Sequence, residues 1–189
     1  MSRPPDQRGR YQGRWTRIRP VAPDDYPWLF HVGVMSDVGN RWRLHGDVPT
    51  FDAFVAGLLA GSLATFVIED REGVAVGMAQ LRQHDAISRT AHLSAFLDPD
   101  HEGLGWPLEG VALVVHHGFR AFDLRKVYLE SLDDAVATYR SAIGDALRVE
   151  GCLVGHRYVL GTYVDCHILA LHREDADRLA AELLGDPGP

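Results

Sequence analysis

The sequence predicts an α+β fold, a central, mostly antiparallel mixed sheet of about seven strands flanked by helices. Three observations predict it. Short apolar or alternating runs bounded by turn residues recur along the chain, which is a strand pattern. Residues 89–132 read as strand, glycine turn, helix, strand, which implies a right-handed crossover between parallel neighbours. Residues 150–171 read as two strands folded back around Leu160-Gly161, a closing hairpin.

The elements follow in order. Residues 1–14 are polar and rich in Pro, Gly and Arg, and are expected to form a disordered tail before a single domain over residues 15–185. Residues 15–21 alternate as a first strand. Ala-Pro-Asp-Asp at 22–25 then opens a helix to about Met35, with acidic side chains at its positive end. Residues 36–48 are a polar connection. Thr50 caps a second helix with Phe51, Phe54, Val55, Leu58 and Leu59 on one stripe. Residues 64–69 and 74–83 are strands joined by Asp-Arg-Glu-Gly, and residues 89–97 are the next strand. The helix after the glycine turn shows Leu108, Val111, Ala112, Val115, Phe119 and Phe122 on one face. Residues 126–132 form a strand, and Asp133 or Asp134 caps a helix with Val136, Tyr139, Ile143 and Leu147 inward. A short amphipathic helix spans residues 173–184, and residues 186–189 are a tail.

Composition narrows the function classes. With 46% apolar and 24% charged residues in 189, the chain is an ordinary globular one. Its formal net charge of −7 argues against nucleic acid and anionic membrane as partners. No apolar run is long enough to span a bilayer, and the N-terminus lacks the apolar core of a secretory signal, so a cytoplasmic setting is expected. Cys152 and Cys166 fall on the two hairpin strands, not opposite each other, and read as free structural thiols. Neither CxxC nor HExxH occurs, so no metal site is expected. Lys126 is the only lysine, and the abundance of Ala, Gly, Val, Asp and Arg is a high-GC, bacterial type of composition.

The glycine turn carries most of the chemistry. Gly103 and Gly105 let the main chain approach a ligand, and Pro107 suits the first turn of a helix. A strand, glycine turn and helix in that order aim backbone N–H groups and a helix N-terminus at one anion. The turn is neither a Walker A loop nor a dinucleotide fingerprint.

Five segments, in one order over residues 15–171, resemble the GNAT family of N-acetyltransferases, nearest to its branch acting on ribosomal-protein N-termini. They are residues 18–25 (Ile-Arg-Pro-Val-Ala-Pro-Asp-Asp), Arg41-Trp42 followed by Pro-Thr-Phe-Asp-Ala-Phe at 49–54, Leu-Asp-Pro-Asp-His-Glu-Gly-Leu-Gly at 97–105, Leu-Arg-Lys-Val-Tyr-Leu-Glu at 124–130, and Glu-Gly-Cys-Leu-Val at 150–154 with Gly-Thr-Tyr-Val-Asp at 161–165. The resemblance implies the GNAT fold and acetyl-CoA as co-substrate, with no metal. It implies an amine acceptor on a small molecule or a peptide N-terminus, with a homodimer admissible. The coenzyme pyrophosphate is expected to bind at Gly103, Leu104, Gly105, Trp106, Pro107 and Leu108, mainly through main-chain N–H groups between Leu104 and Leu108, and Arg140 is expected to contact thioester or phosphate. An irregular fourth strand at Ala95, Phe96 and Leu97 would supply N–H donors to the developing oxyanion.

By the same resemblance His92 is the base candidate, Ser94 would order a water on the same strand face, and Tyr139 would be the acid. Arg41, Trp42, Arg43 and His45 would line the acceptor site, and an arginine pair there favours an acceptor bearing a carboxylate. The bland alternatives are a packed histidine at 92, a plain strand serine at 94, and solvated arginines around a packed Trp42. The loop differs from the family pattern, with Asp100 in a Gln/Arg place and Glu102 where Arg is common. Asp133, Val136 and Arg140 stand where the family has Asn, Ser and Tyr. Two other readings therefore stand beside acetyl transfer: a GNAT-like binding module of weak activity, and an acyltransferase using a carrier-protein thioester.

Overall fold

The computed structural model describes residues 11–132, 136 and 146–184. Seven strands form one sheet in the order β1-β2-β3-β4-β5-β7-β6. They are β1 (Arg17–Pro20), β2 (Ser62–Glu69), β3 (Ala75–Asp85), β4 (Thr90–Leu97), β5 (Lys126–Leu132), β6 (Leu147–Val159) and β7 (Thr162–His172). The helices are α1 (Tyr26–Met35), α2 (Val38–Arg41), α3 (Phe51–Leu58), α4 (Leu108–Ala121) and α5 (Arg173–Leu184). Neighbouring strands are antiparallel except β4 and β5, which run parallel with α4 between them in sequence. The hairpin turns at Leu160-Gly161 as the sequence predicts. The helix expected after residue 133 lies mostly outside the described residues, but Leu147, expected inward on it, is instead the first residue of β6, paired with Leu171 and buried in the core.

Each face of the sheet is covered by its own core. On one, α4 and α5 bury Ile68, Leu81, Ala91, Leu113, Val114, Phe119, Val127 and Leu169. On the other, α1, α2 and α3 bury Leu29, Val32, Trp42, Phe54, Leu58, Met78 and Phe96. The face of α4 differs from the expected stripe. Gly110, Leu113, Val114, Val115, Gly118 and Phe119 are buried, while Val111 and Ala112 are only half-buried. A Cβ on Gly110 would lie 2.2 Å from Ile68 Cγ2, so the missing side chain is what lets α4 sit on β2. The stripe on α3 is likewise narrower: Phe54 and Leu58 are buried, and Phe51 and Leu59 are exposed. Thr50 caps α3 as expected, its hydroxyl accepting from the Ala53 N–H at 3.3 Å.

Two polar clamps fix the edges. Arg19 grips the Asp25 carboxylate with two N–H groups at 2.7 Å each, and also donates to Glu69 at 2.6 Å. That bidentate contact ties β1 and β2 to the start of α1 and holds the Asp25 carboxyl below its usual range. Residues 11–14 are not the free tail that composition suggests. Buried Glu109, in the first turn of α4, accepts the N–H groups of Arg14, Trp15 and Thr16 at 2.7–2.8 Å and the Thr16 hydroxyl at 2.9 Å. Its charge also sits at the positive helix end.

Candidate active site

The parallel pair is short. β4 and β5 are in register only at Thr90–Lys126, Ala91–Val127 and His92–Tyr128. Beyond that point β5 stays with β7, through Leu132 opposite Cys166, and β4 stays with β3, through Leu97 opposite Gly77. The two strands therefore part at His92 and Tyr128. The main chain of β4 from Leu93 to Leu97 has a strand neighbour on one side only among the described residues. This corrects the expectation of an irregular fourth strand at Ala95, Phe96 and Leu97. The β4 register with β3 runs unbroken from His92 to Leu97, and the bulge lies on β3 between Arg82 and Asp85, where Gln83 has φ of +49°. Free main-chain groups arise there by separation of strands and need no bulge.

His92 stands at the vertex of that opening. Alternation puts His92, Ser94 and Phe96 on one face, and Phe96 belongs to the core under α1–α3. The His92 ring is half-buried, 5.4 Å from the ring of Tyr128, and its register partner on β3 is Arg82. Burial pushes the imidazole below its usual value, and nearby Glu130 pulls weakly the other way. The ring is thus held neutral at pH 7, the state a proton acceptor needs. Ser94 is half-buried opposite Gln80.

The loop after the open end of β4 supplies main-chain donors. Gly103 and Gly105 have φ of +77° and +76°, and both are exposed. A side chain there would meet no neighbour, so backbone conformation, not close packing, calls for glycine. The donor set is shifted from the expected one. The N–H groups of Trp106 and Leu108 are already bonded to Leu104 O and Gly105 O, and buried Pro107 has none. Those of Gly103, Leu104 and Gly105 have no protein acceptor among the described residues. Three successive free N–H groups before a helix suit a phosphate oxygen. Asp100 and Glu102 are exposed, and Asp98 is turned inward to the Trp28 indole N–H at 3.2 Å.

The acceptor-side prediction divides. Residues 36–48 are not a plain connection, because Val38–Arg41 is helical. Trp42 is 4% exposed, packed edge-on to Phe96 at 4.9 Å, so it is core and not an open wall. Arg41 is exposed at the end of α2. Arg43 is half-buried with its guanidinium 4.9 Å over the Trp42 ring, and donates to Gly57 O at 3.1 Å. Its charge neighbour is Arg82, which sequence reasoning missed because β3 reads as an edge of polar residues there. Burial and Arg82 push the Arg43 guanidinium down to about 10. Arg43 Nε and Nη1, Arg82 Nε and Trp42 Nε1 are all buried without a hydrogen-bond partner. Leaving a buried donor unpaired costs on the order of 1–3 kcal/mol, more when charged.

His45, with φ of +52°, is exposed; local desolvation and the charge of Arg157 hold it below its usual value, and Glu130 acts the other way. Glu130 itself pairs with Arg157 from β6 and lies 3.8 Å from the Cys166 thiol. Cys152 is exposed and Cys166 buried, and neither is in a disulfide; the Cys166 thiol is raised by burial and by Glu130. Tyr139 and Arg140 lie outside the described residues. Among the described residues no group of three or more His, Cys, Asp or Glu side chains is placed to hold a metal, and no helix is long and apolar enough to cross a membrane.

Comparison with known proteins gives three findings. A family model described as an acetyltransferase (GNAT) domain matches residues 16–140. Ribosomal-protein-serine acetyltransferase of Escherichia coli is 22% identical over 100 residues, 53% of this chain and 56% of that protein. Spermidine N(1)-acetyltransferase of Vibrio cholerae is 27% identical over 103 residues, 53% of this chain and 58% of that one. The chain thus aligns with a little over half the length of the curated relatives it matches. Among solved structures, the Vibrio cholerae spermidine N-acetyltransferase in complex with CoA and spermine superposes with a TM-score of 0.72 at 19% identity, over 85% of this chain and 97% of that one. The same enzyme with manganese ions gives 0.67 at 20% identity, over 92% and 98%.

Proposed function

The chain belongs to the GNAT acetyltransferase family, and from that premise we propose that it transfers an acetyl group from acetyl-CoA to an amine of a small molecule or peptide N-terminus. The observation that carries the reading is the parting of β4 from β5, on the strand that leads into a loop with three free N–H groups. The pyrophosphate fits Gly103, Leu104 and Gly105, and the thioester carbonyl fits the open edge of β4 at Ala95, Phe96 and Leu97. There the acyl group is supplied by the thioester, and preset N–H donors stabilise the charge that develops on its oxygen. His92 takes the proton of the attacking amine at its neutral ring nitrogen, with Ser94 positioned on the same face to hold a water. Tyr139 and Arg140 remain proposed as acid and donor contact.

The test is direct. Acetyl-CoA should raise the melting temperature, since a ligand that binds only the native state stabilises it by about 2.7 kcal/mol at 100 times its Kd. Free CoA should then appear when an amine is added. Stabilisation with no CoA release across an amine library would leave a GNAT-like binding module. Neither effect, with activity only from an acyl carrier protein, would make the donor a carrier-protein thioester.

A further inference from the structure

Resting on the acetyl-transfer reading for its reaction, we infer that Arg43 and Arg82 form an anion subsite in the acceptor pocket, so that the amine substrate carries a carboxylate held beside His92. The two arginines come from separate elements. Arg43 follows α2, and Arg82 ends the regular part of β3. They meet at the C-terminal end of α3, where Arg43 donates to Gly57 O and buried Gln80, two residues before Arg82 on the same face, donates to Leu58 O at 2.7 Å. Arg82 is also the register partner of His92. A group bound to this pair is therefore a neighbour of the proposed base.

Charge makes the pair specific. Two guanidiniums sharing a half-buried site repel, and their orphaned N–H groups face no protein carboxylate among the described residues. Glu130, the carboxylate that acts on His92, is already engaged by Arg157. The forked geometry of guanidinium matches a carboxylate, which would neutralise the repulsion and satisfy the donors. A polyamine brings further ammonium groups to the same place and meets only repulsion. The fold is shared with spermidine acetyltransferases, but the acceptor chemistry inferred here is opposite in sign.

The experiment has two arms. In the first, without acetyl-CoA, N-acetylated amino acids are titrated at up to about 10 mM against the parent, Arg43→Met and Arg82→Gln. At least one should raise the parent melting temperature by a few degrees, its amide should not, and neither variant should respond. Unliganded Arg43→Met should melt at or above the parent, because it removes a buried repulsion; a clear fall would mean that Arg43 is structural and would overturn the subsite. In the second arm, initial rates with acetyl-CoA are compared for the free amino acids, their amides and spermidine. The best acceptor should bear a free carboxylate, its amide should lose at least about tenfold in kcat/KM, and both variants should lose as much while their affinity for acetyl-CoA holds. Spermidine as the best acceptor, or amides used equally well, overturns the inference. If no amine is acetylated the first arm decides alone, and the absence of a carboxylate-specific shift overturns it. A carboxylate shift with no response to acetyl-CoA retains the subsite and rejects acetyl transfer.

Discussion

The base role proposed for His92 rests on its place. The side chain sits where two strands separate, so half of its ring is out of water and its protonated form is disfavoured. A histidine depressed in the fold contributes stability above its unfolded value near 6.5, and that contribution is lost as pH falls through the folded value. With His92 as the proposed base, the same depression should put the acid limb of catalysis below 6.5. His92→Ala should lower kcat on the order of 10²-fold and abolish that limb in kcat/KM for the acceptor, leaving acetyl-CoA affinity intact. An unchanged pH–rate profile would remove His92 from the mechanism. The sequence singles out His92 and Arg43 by their positions next to recognisable motifs. It does not single out Arg82, Tyr128 or Glu109, because each is defined by a neighbour that is distant in sequence: Arg43, His92 and the 14–16 backbone.

Among the elements, α4 shows how the helix after the proposed coenzyme loop is held against the sheet. It must start at the open end of β4 and lie close on β2 and β3. Gly110 and Gly118 permit that approach, each standing where a Cβ would come within 2.2 Å of Ile68 or Leu81. Gly110→Ala should therefore destabilise the fold by about 1–3 kcal/mol despite the better helix propensity of alanine, because the buried, branched Ile68 has no space to yield. Equal or higher stability by thermal or denaturant melting would show that α4 slides freely. The expected stripe on α4 was off because apolar periodicity weighs glycine as absent, whereas here glycine marks the contact. The strands were legible to within a few residues, since alternation and turn residues bound them locally, but β6 starts at Leu147, which helical periodicity assigns to the preceding helix. The parting of β4 from β5 was not, because strand pairing is a property of two segments and leaves no mark on either.

On the scale of the whole molecule, a chain with net charge −7 is proposed to bind a highly anionic co-substrate through main-chain N–H groups, with exposed Asp100 and Glu102 in the same loop. Long-range repulsion should slow the encounter. The association rate constant for acetyl-CoA should rise with ionic strength, the reverse of a site built on lysine and arginine side chains. Stopped-flow rates that fall steeply with salt would mean that a basic surface outside the loop captures the nucleotide. Two cores lie on opposite faces of the sheet, one supporting the proposed coenzyme loop through α4 and the other the proposed acceptor side through α1–α3. The sequence by itself determined the fold class, the order of nearly every element, the glycine loop and the strand that carries His92, because periodicity, caps and turn residues act over a few neighbours. Only the tertiary structure decided where β4 and β5 part, which loop N–H groups stay free, that Trp42 is core, and that Arg43 faces Arg82. Those features depend on burial and on pairing between remote segments, and burial is what turns an ordinary side chain into an unpaired charge or a neutral base.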